Sequence, residues 1–408
     1  MRLLLLLASC LIILTGCADK IELEEEGFVL VIGVDLPEND EPGLDITYQL
    51  ADPQAGSPGS QPGSQEYKTI TIRMPDLISS RDMLNVGETR NINFYHTKAI
   101  IVSERFAKSD KFLEGIGALG RDPEVRRDMI LLVSKERADE YLRNNKPAFE
   151  ASPHKFYDFI SRRWETNALV PKADLQQILH DIEADSGLAM ATYTTSKEIE
   201  PDTKKNEDDY LPGELYKKGG TPVHIIGSAA IRDGKMVGAL TGEEVRIMTI
   251  LNAGLNPQDI AFTFPDPIME EFRITGQATN TKTTVDVDVS KPQPVITVDA
   301  WLEIRVLSIP SMVNYVEDLS KQELLDKYME KRFESLAGDF VRKTQEELKA
   351  EAFDWSLTAR RKFFTLQQYQ EYDWMKSYPD ADVKVNMHVK LEGFGKLLRP
   401  RNKKMITD

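Results

Sequence analysis

The chain has 408 residues, with 51 Lys and Arg against 66 Asp and Glu, a formal charge of −15. The AVILMFWYC set makes up 41%, charged residues make up 29% and the mean hydropathy is −0.37; this excludes a bundle of membrane spans and full disorder, and at ~150 residues per domain predicts two or three packed domains. The negative balance opposes general binding to nucleic acid phosphates, and two cysteines with five histidines leave little from which to build disulfide frameworks or structural zinc sites.

Arg2 gives a short positive start, Leu3 to Leu14 form an apolar run interrupted only by small Ala8, Ser9 and Cys10, and polar Asp19, Lys20, Glu22 and Glu24 follow. A membrane span needs about 20 apolar residues, so the run reads as a secretory signal peptide over residues 1–16 that is removed from the mature chain. Leu14-Thr15-Gly16-Cys17 is similar to a bacterial lipobox, a small residue before a cysteine whose thiol takes a diacylglyceryl group before cleavage exposes its amine. Two or more acyl chains on Cys17 would give stable anchoring, each buried methylene adding about 0.8 kcal/mol. The mature chain is therefore expected on a membrane rather than in it, and with Cys17 as its one cysteine it forms no internal disulfide.

Residues 27 to 35 form an apolar run of strand length, Leu44, Ile46, Tyr48 and Leu50 alternate with polar neighbours, and a third strand is expected at Tyr67 to Met74. Between the last two lies the Pro/Gly/Ser-rich stretch Asp52 to Glu66, read as a solvated loop. After Pro75 the period changes to helix-like stretches near 76–88, 104–119, 136–143, 154–165 and 172–183, with buried strands at Lys98 to Ser103 and Asp128 to Ser134. Residues 17–195 thus read as an N-terminal α+β domain. A polar, acidic stretch over 196–221, containing Pro201, Pro212, Gly213, Gly219 and Gly220, reads as a linker or long loop. Its carboxylates lack the alternation, turn glycine and closing glutamate of a calcium loop.

The C-terminal α+β region, residues 222–400, opens with a strand, an Asp233-Gly234 hairpin turn, a second strand and a helix over 242–252. Thr283 to Val289 and Val298 to Val306 alternate as strands with one buried face. Ser320 with Glu323 predicts a capping box for a long helix near 321–352, with Leu325, Met329, Phe333, Leu336 and Phe340 on its apolar side. Alternating Val383, Val385, Met387, Val389 and Leu391 predict a last strand. The region divides into one unit or into two lobes, about 222–310 and 311–400, and ends in a basic tail over 401–408.

Gly115, Gly117 and Gly120 have the spacing of a dinucleotide-binding GxGxxG but follow a helix-like stretch instead of a strand, so coincidence is the expected reading. No HExxH, GxSxG or P-loop occurs, and His96, His154, His180, His224 and His388 are scattered. No catalytic, cofactor-binding or metal residue is expected. Lys396, Arg399, Arg401, Lys403 and Lys404 could touch anionic lipid or an acidic partner loop, or form a solvated tail. The aromatics Phe353, Trp355, Phe363, Phe364, Tyr369, Tyr372, Trp374 and Tyr378 are expected in the core between the long helix and the last strand.

Across nearly the whole mature length the sequence resembles the Ger(x)C spore germination lipoproteins, the C subunits of germinant receptors. The resemblance is carried by Cys17 and its acidic start, Gly27-Phe28-Val29 to Gly33-Val34-Asp35, Asn93-Phe94-Tyr95-His96-Thr97-Lys98 and Arg121-Asp122-Pro123-Glu124-Val125-Arg126. In the second half it rests on Gly227-Ser228-Ala229-Ala230-Ile231, Lys235 to Leu240, Glu244-Val245-Arg246 and Asp382 to Leu391. It implies a non-enzymatic lipoprotein on the outer face of the spore inner membrane, without cofactor. It also implies assembly with integral membrane subunits of the A and B type, one transporter-like, into a nutrient germinant receptor, and a fold of three α+β lobes. The rival expectation is a lipoprotein that captures a solute for a transporter, with two parallel-sheet lobes around a cleft.

Overall fold

The computed structural model describes residues 22–39, 41–52, 67–150, 152–184, 187–199 and 208–394. The signal peptide over 1–16, Cys17, the loop beyond Asp52, the middle of the acidic stretch and the basic tail over 401–408 lie outside them. Within them the fold is α+β, with mixed sheets flanked by helices, as the residue patterns predict.

Strands β1 (Glu26–Asp35), β2 (Leu44–Ala51) and β3 (Tyr67–Met74) form an antiparallel start to the first sheet. Val29, Val31, Ile32 and Val34 are all buried, so β1 is covered on both faces, as a near-continuous apolar run requires. Short β4 (Asn91–Asn93) pairs with the start of β1, and β5 (Ala99–Ser103), β6 (Ile130–Ser134) and β7 (Ala189–Thr195) extend the sheet in parallel.

Parallel neighbours need crossovers, and helices supply them on both faces. Helices α1 (Leu77–Gly87), α2 (Glu104–Ala107) and α3 (Lys111–Leu119) pack on one face through Leu84, Phe106 and Ile116. The opposite face is covered by α4 (Ala138–Asn144) and α5 (Pro153–Asn167) through Tyr141, Tyr157 and Trp164. Helix α6 (Leu175–Ala184) then returns to the first face through Ile178.

The polar stretch expected to separate the domains does not end this sheet. Strand β8 (His224–Arg232) continues it antiparallel to β7 and β9 (Lys235–Leu240) pairs antiparallel with β8, in the order β3-β2-β1-β5-β6-β7-β8-β9. The physical reason is burial: Ala189 and Ala191 of β7 share a core with Ala229, Ile231 and Met236 from beyond the stretch. The Asp233-Gly234 turn has both residues at positive φ, 52° and 74°, the requirement of a tight two-residue hairpin. At Gly227, φ is 74° and an added Cβ would meet the Leu240 carbonyl, so β8 bends where only glycine fits.

Helix α7 (Gly242–Leu251) leads into the second sheet and starts with a complete capping box. Thr241 N–H donates to Glu244 Oε2 at 2.9 Å, and Glu244 N–H donates to Thr241 Oγ1 at 3.3 Å. Strands β10 (Ile260–Pro265), β11 (Arg273–Asp288) and β12 (Val295–Ser308) are antiparallel, and β13 (Asp382–Gly393) pairs in parallel with β12.

The crossover from β12 to β13 is helical: α8 (Leu319–Lys343), a π turn (Thr344–Leu348), then α9 (Trp355–Arg360), α10 (Leu366–Tyr372) and α11 (Trp374–Ser377). Because β13 pairs with β12 and this layer packs on their shared face, residues 222–310 and 311–400 are not separate lobes. Together they contribute one core, with Ile296, Val298 and Ile304 against Leu325, Met329 and Phe340. The described residues thus carry two sheets where the resemblance implied three lobes.

The long helix departs from expectation at both ends. Its cap is Asp318, whose carboxylate accepts from Ser320 N–H at 3.1 Å and Lys321 N–H at 3.3 Å, while Glu323 binds Lys327 at 2.6 Å. A carboxylate two residues earlier outcompetes the Ser320 hydroxyl, which itself donates to Asp318 at 2.6 Å. The helix closes at Lys349, in the left-handed region with φ 55°, instead of running to 352.

One row of α8 side chains lies along the free edge of β13. Glu334 Oε1 accepts Met387 N–H at 3.3 Å and Glu330 Oε1 accepts Val389 N–H at 3.1 Å, while Asp326 reaches toward Leu391 N–H. These carboxylates occupy the backbone donors that an incoming strand would use.

Candidate functional site

The candidates singled out in the sequence are placed apart, and most of them are structural. Gly115 and Gly117 lie within α3 and Gly120 caps it; a Cβ at Gly115 would stand 2.8 Å from the Phe106 ring, so this glycine serves helix packing. His96 packs edge-on against Phe28 at 4.6 Å, His154 meets Ser152 at 2.9 Å, and His388 stacks on Trp301 at 5.1 Å and meets Asp299 at 3.1 Å. Among the described residues no three His, Cys, Asp or Glu side chains are grouped closely enough to hold a metal ion.

The aromatic cluster divides. Phe353, Trp355, Trp374 and Tyr378 are buried, with Phe353 and Trp355 stacked at 4.2 Å, as expected of core. Phe364 is 99% exposed and corrects the expectation that all eight are core. The flanks of the acidic stretch are tied down: Lys197 pairs with Glu140 at 2.9 Å, Asp208 with buried Arg246, and Lys217 Nζ donates to the Thr221 and Val223 carbonyls at 2.6 and 2.9 Å.

Asp35 sits at the C-terminal end of β1, the end of a parallel sheet where ligands commonly gather. The chain itself fills this position. The Asp35 carboxylate accepts Ala138 N–H at 2.7 Å and Asp139 N–H at 3.1 Å, and Arg137 approaches to 3.7 Å while reaching Asp45 at 3.1 Å. Burial raises the Asp35 carboxyl above the usual carboxylate range, with the two backbone donors and Arg137 acting against it. Four charged or capped groups from β1, β2 and α4 are stapled together, and no acid is left open to a substrate.

An open feature lies on the α4/α5 side. A groove of about 540 Å³ runs between α5 and the segment entering β8, with Phe149, Phe156, Phe159, Ile160, Leu215 and Ile225 along it. Phe149 is 92% exposed, and Phe159, Leu215 and nearby Tyr216 are also exposed. Exposed Lys146, Lys155, Arg162 and Lys218 are next in sequence to lining residues. Inside the groove burial lowers the Lys217 and His224 pKa values, His224 also through the Lys217 charge. Apolar surface of this kind, rimmed by charge, fits a partner better than a substrate. The reading of the sequence did not single these residues out, although a lone Phe149 in a polar Asn-Lys-Pro-Ala-Phe-Glu stretch was a signal.

The two sheets are joined by specific contacts. Lys343 Nζ, at the end of α8, donates to Glu244 Oε1 and Oε2 at 2.8 and 2.7 Å and to the Ala239 carbonyl at 3.0 Å. Arg232 Nη1 donates to the Leu348 carbonyl at 2.6 Å.

Residues 19–196 match the family described as spore germination protein N-terminal domain, and residues 226–395 match that described as spore germination B3/GerAC like, C-terminal. The chain is similar to spore germination protein KC of Bacillus subtilis (strain 168), at 23% identity over 189 residues, 44% of this chain and 45% of that protein. The matched stretch thus spans less than half of that relative. The crystal structure of the GerBC protein is similar in fold, with a TM-score of 0.54 and 15% identity over 88% of this chain and 96% of that chain.

Proposed function

Because the chain belongs to the GerAC-like family of spore germination proteins, we propose that it is a lipid-anchored, non-enzymatic subunit of a nutrient germinant receptor. A role in germination follows from the family. The proposal adds an anchor through acylated Cys17 on the outer face of the spore inner membrane, and assembly with integral membrane subunits of the A and B type. Its mechanism would be conformational coupling: binding partner subunits and helping nutrient detection trigger germination.

The observation that carries the reading is the extent of the family match, two successive segments over 19–196 and 226–395. The exposed aromatic groove on the α4/α5 side supports it as a surface for a protein partner. Solute capture for a transporter calls for two like lobes around a cleft, whereas these two sheets differ in strand number and order.

Affinity isolation of the tagged chain from detergent-solubilised spore membranes, followed by mass spectrometry, tests the reading. A multi-span transporter-like protein is expected in stable proportion, and recovery of the chain alone from mild detergent would refute the assembly. Replacing Cys17 by Ala is expected to release the chain from the membrane fraction; unchanged sedimentation with membranes would sink the anchor.

A further inference from the structure

Between the helical layers of the two sheets lies a cleft of about 580 Å³ that no part of the receptor-subunit reading uses. Its volume falls in the about 300–1,000 Å³ range of small-molecule sites, which favour such junctions between packed units. The first sheet's helices contribute Trp164 from α5 on one face and Asp181 from α6, with Asp174 at its entry, from the other, and the second sheet's side contributes Met248, Asn252 and Asp354. The walls are therefore partly apolar, with Met190 and Pro257 completing them, and three carboxylates face one ammonium, that of Lys172.

The polar groups are held in place from behind. Gln177 N–H donates to Asp174 Oδ1 at 2.8 Å, and Gln177 Nε2 donates to Asp181 Oδ1 at 2.7 Å. Across the cleft Asn252, 7% exposed, donates from Nδ2 to Asp354 Oδ2 at 2.8 Å and accepts Gly254 N–H at 2.8 Å through Oδ1. Asp181 and Asp354 thus each place one oxygen on an amide of their own layer, and both line the cleft. Burial lifts Asp181 to about 6, with the Gln177 hydrogen bond acting against it and the Asp354 charge across the cleft adding to it. Two carboxylates from different layers, repelling each other over apolar walls, are complementary to positive charge. Among the described residues they form no group of the kind that holds a metal ion.

We propose that this cleft binds a small organic cation, a primary ammonium on an aliphatic stem, whose charge is taken by Asp181 and Asp354 while the stem lies against Trp164, Met190 and Met248. Because Asp181 belongs to the first sheet's layer and Asp354 to the second's, the bound cation clamps the junction between them. The inference does not rest on receptor assembly, so its failure and the failure of the subunit reading are separate results.

The test is calorimetric titration of the full chain in detergent micelles with cadaverine, with pentanediol and glutarate as neutral and anionic analogues of the same length. Saturable binding of cadaverine in the millimolar range or below is expected, with none of glutarate. Asp181→Asn and Asp354→Asn should each weaken it at least about tenfold, the usual weight of a hydrogen bond to a charged group. The proposal is overturned by absence of saturable heat, by equal binding of pentanediol, or by unchanged affinity in both variants. Should a variant fail to fold, methyl-labelled methionines of the unsubstituted chain answer instead: Met190 and Met248 resonances shift on titration if the cleft is the site, and their silence overturns it.

Discussion

The backbone carbonyl of Glu351 accepts the N–H of Leu188 at 2.8 Å, so a residue three positions past the π turn of the second sheet's layer is bonded to the entry of β7 in the first sheet. Its side chain turns the other way. The carboxylate, 1% exposed, accepts from Phe353 N–H at 2.7 Å, Trp355 N–H at 3.2 Å and Ser356 N–H at 2.8 Å, closing the start of α9.

That burial gives a pH prediction. Desolvation lifts the Glu351 carboxyl from 4.5 to about 7, against the pull of the backbone donors. Between those values the folded chain holds a proton that the unfolded chain has released, so this group's contribution falls as pH rises from about 4.5 to about 7 and is flat beyond. Glu243, raised to about 7 mainly by burial, acts in the same direction. Glu351→Gln, which cannot ionise, should gain on the unsubstituted chain across that window by on the order of 3 kcal/mol. Thermal unfolding of both proteins at a series of pH values checks this, and parallel stability curves would show that Glu351 does not titrate there.

The Asp35 staple predicts a large loss on truncation. Asp35→Ala leaves two amides at the start of α4 without an acceptor and removes a partner of Arg137. The expected cost is about 3 kcal/mol, read as a lower denaturant midpoint. Asp35→Asn keeps one acceptor oxygen and should lose less.

The groove predicts a loss of association without loss of fold. Phe149 is almost wholly in solvent, so Phe149→Ser should shift stability by no more than about 0.5 kcal/mol. Under the proposed function, Phe149→Ser combined with Phe159→Ser should sharply reduce co-purification of membrane partners. Undiminished co-purification would place the docking surface elsewhere.

Strand order predicts how the chain can be cut. A fragment ending at residue 196 leaves β7 as an open edge and strips Ala229, Ile231 and Met236 from the core. It should aggregate or melt broadly in size-exclusion and calorimetric runs, while a fragment extended through Leu240 should unfold more cooperatively.

Much of this architecture was legible in residue periodicity. The β1 run, the alternation in β12, the Asp233-Gly234 hairpin and the apolar side of α8 are local patterns, and the structure places each as read; β2 is a strand as expected, but the polar Asp45, Thr47 and Gln49 between its apolar residues are buried as well, so it is covered on both faces instead of one. What was not legible is relational. Periodicity marks β8 as a strand but does not say which sheet it joins, and the polar stretch before it looked like a boundary. Two side chains competed to cap α8, and spacing favoured Ser320 where the stronger acceptor, Asp318, prevailed. Asp181 and Asp354 stand 173 positions apart in the chain and share no motif, so only packing brings them to one cleft.

The carboxylate row on α8 also sets a length scale. Four residues of helix advance about 6.0 Å and two residues of strand about 6.6 Å, so Glu330 and Glu334 keep step with Val389 and Met387 closely enough for two hydrogen-bonded rungs, with Asp326 next in the row toward Leu391. The match works as a vernier: a single-residue slip of the helix rotates the row by about 100° and frees every rung together. Helix and strand are therefore locked in one register, and the sheet ends where the two rulers agree.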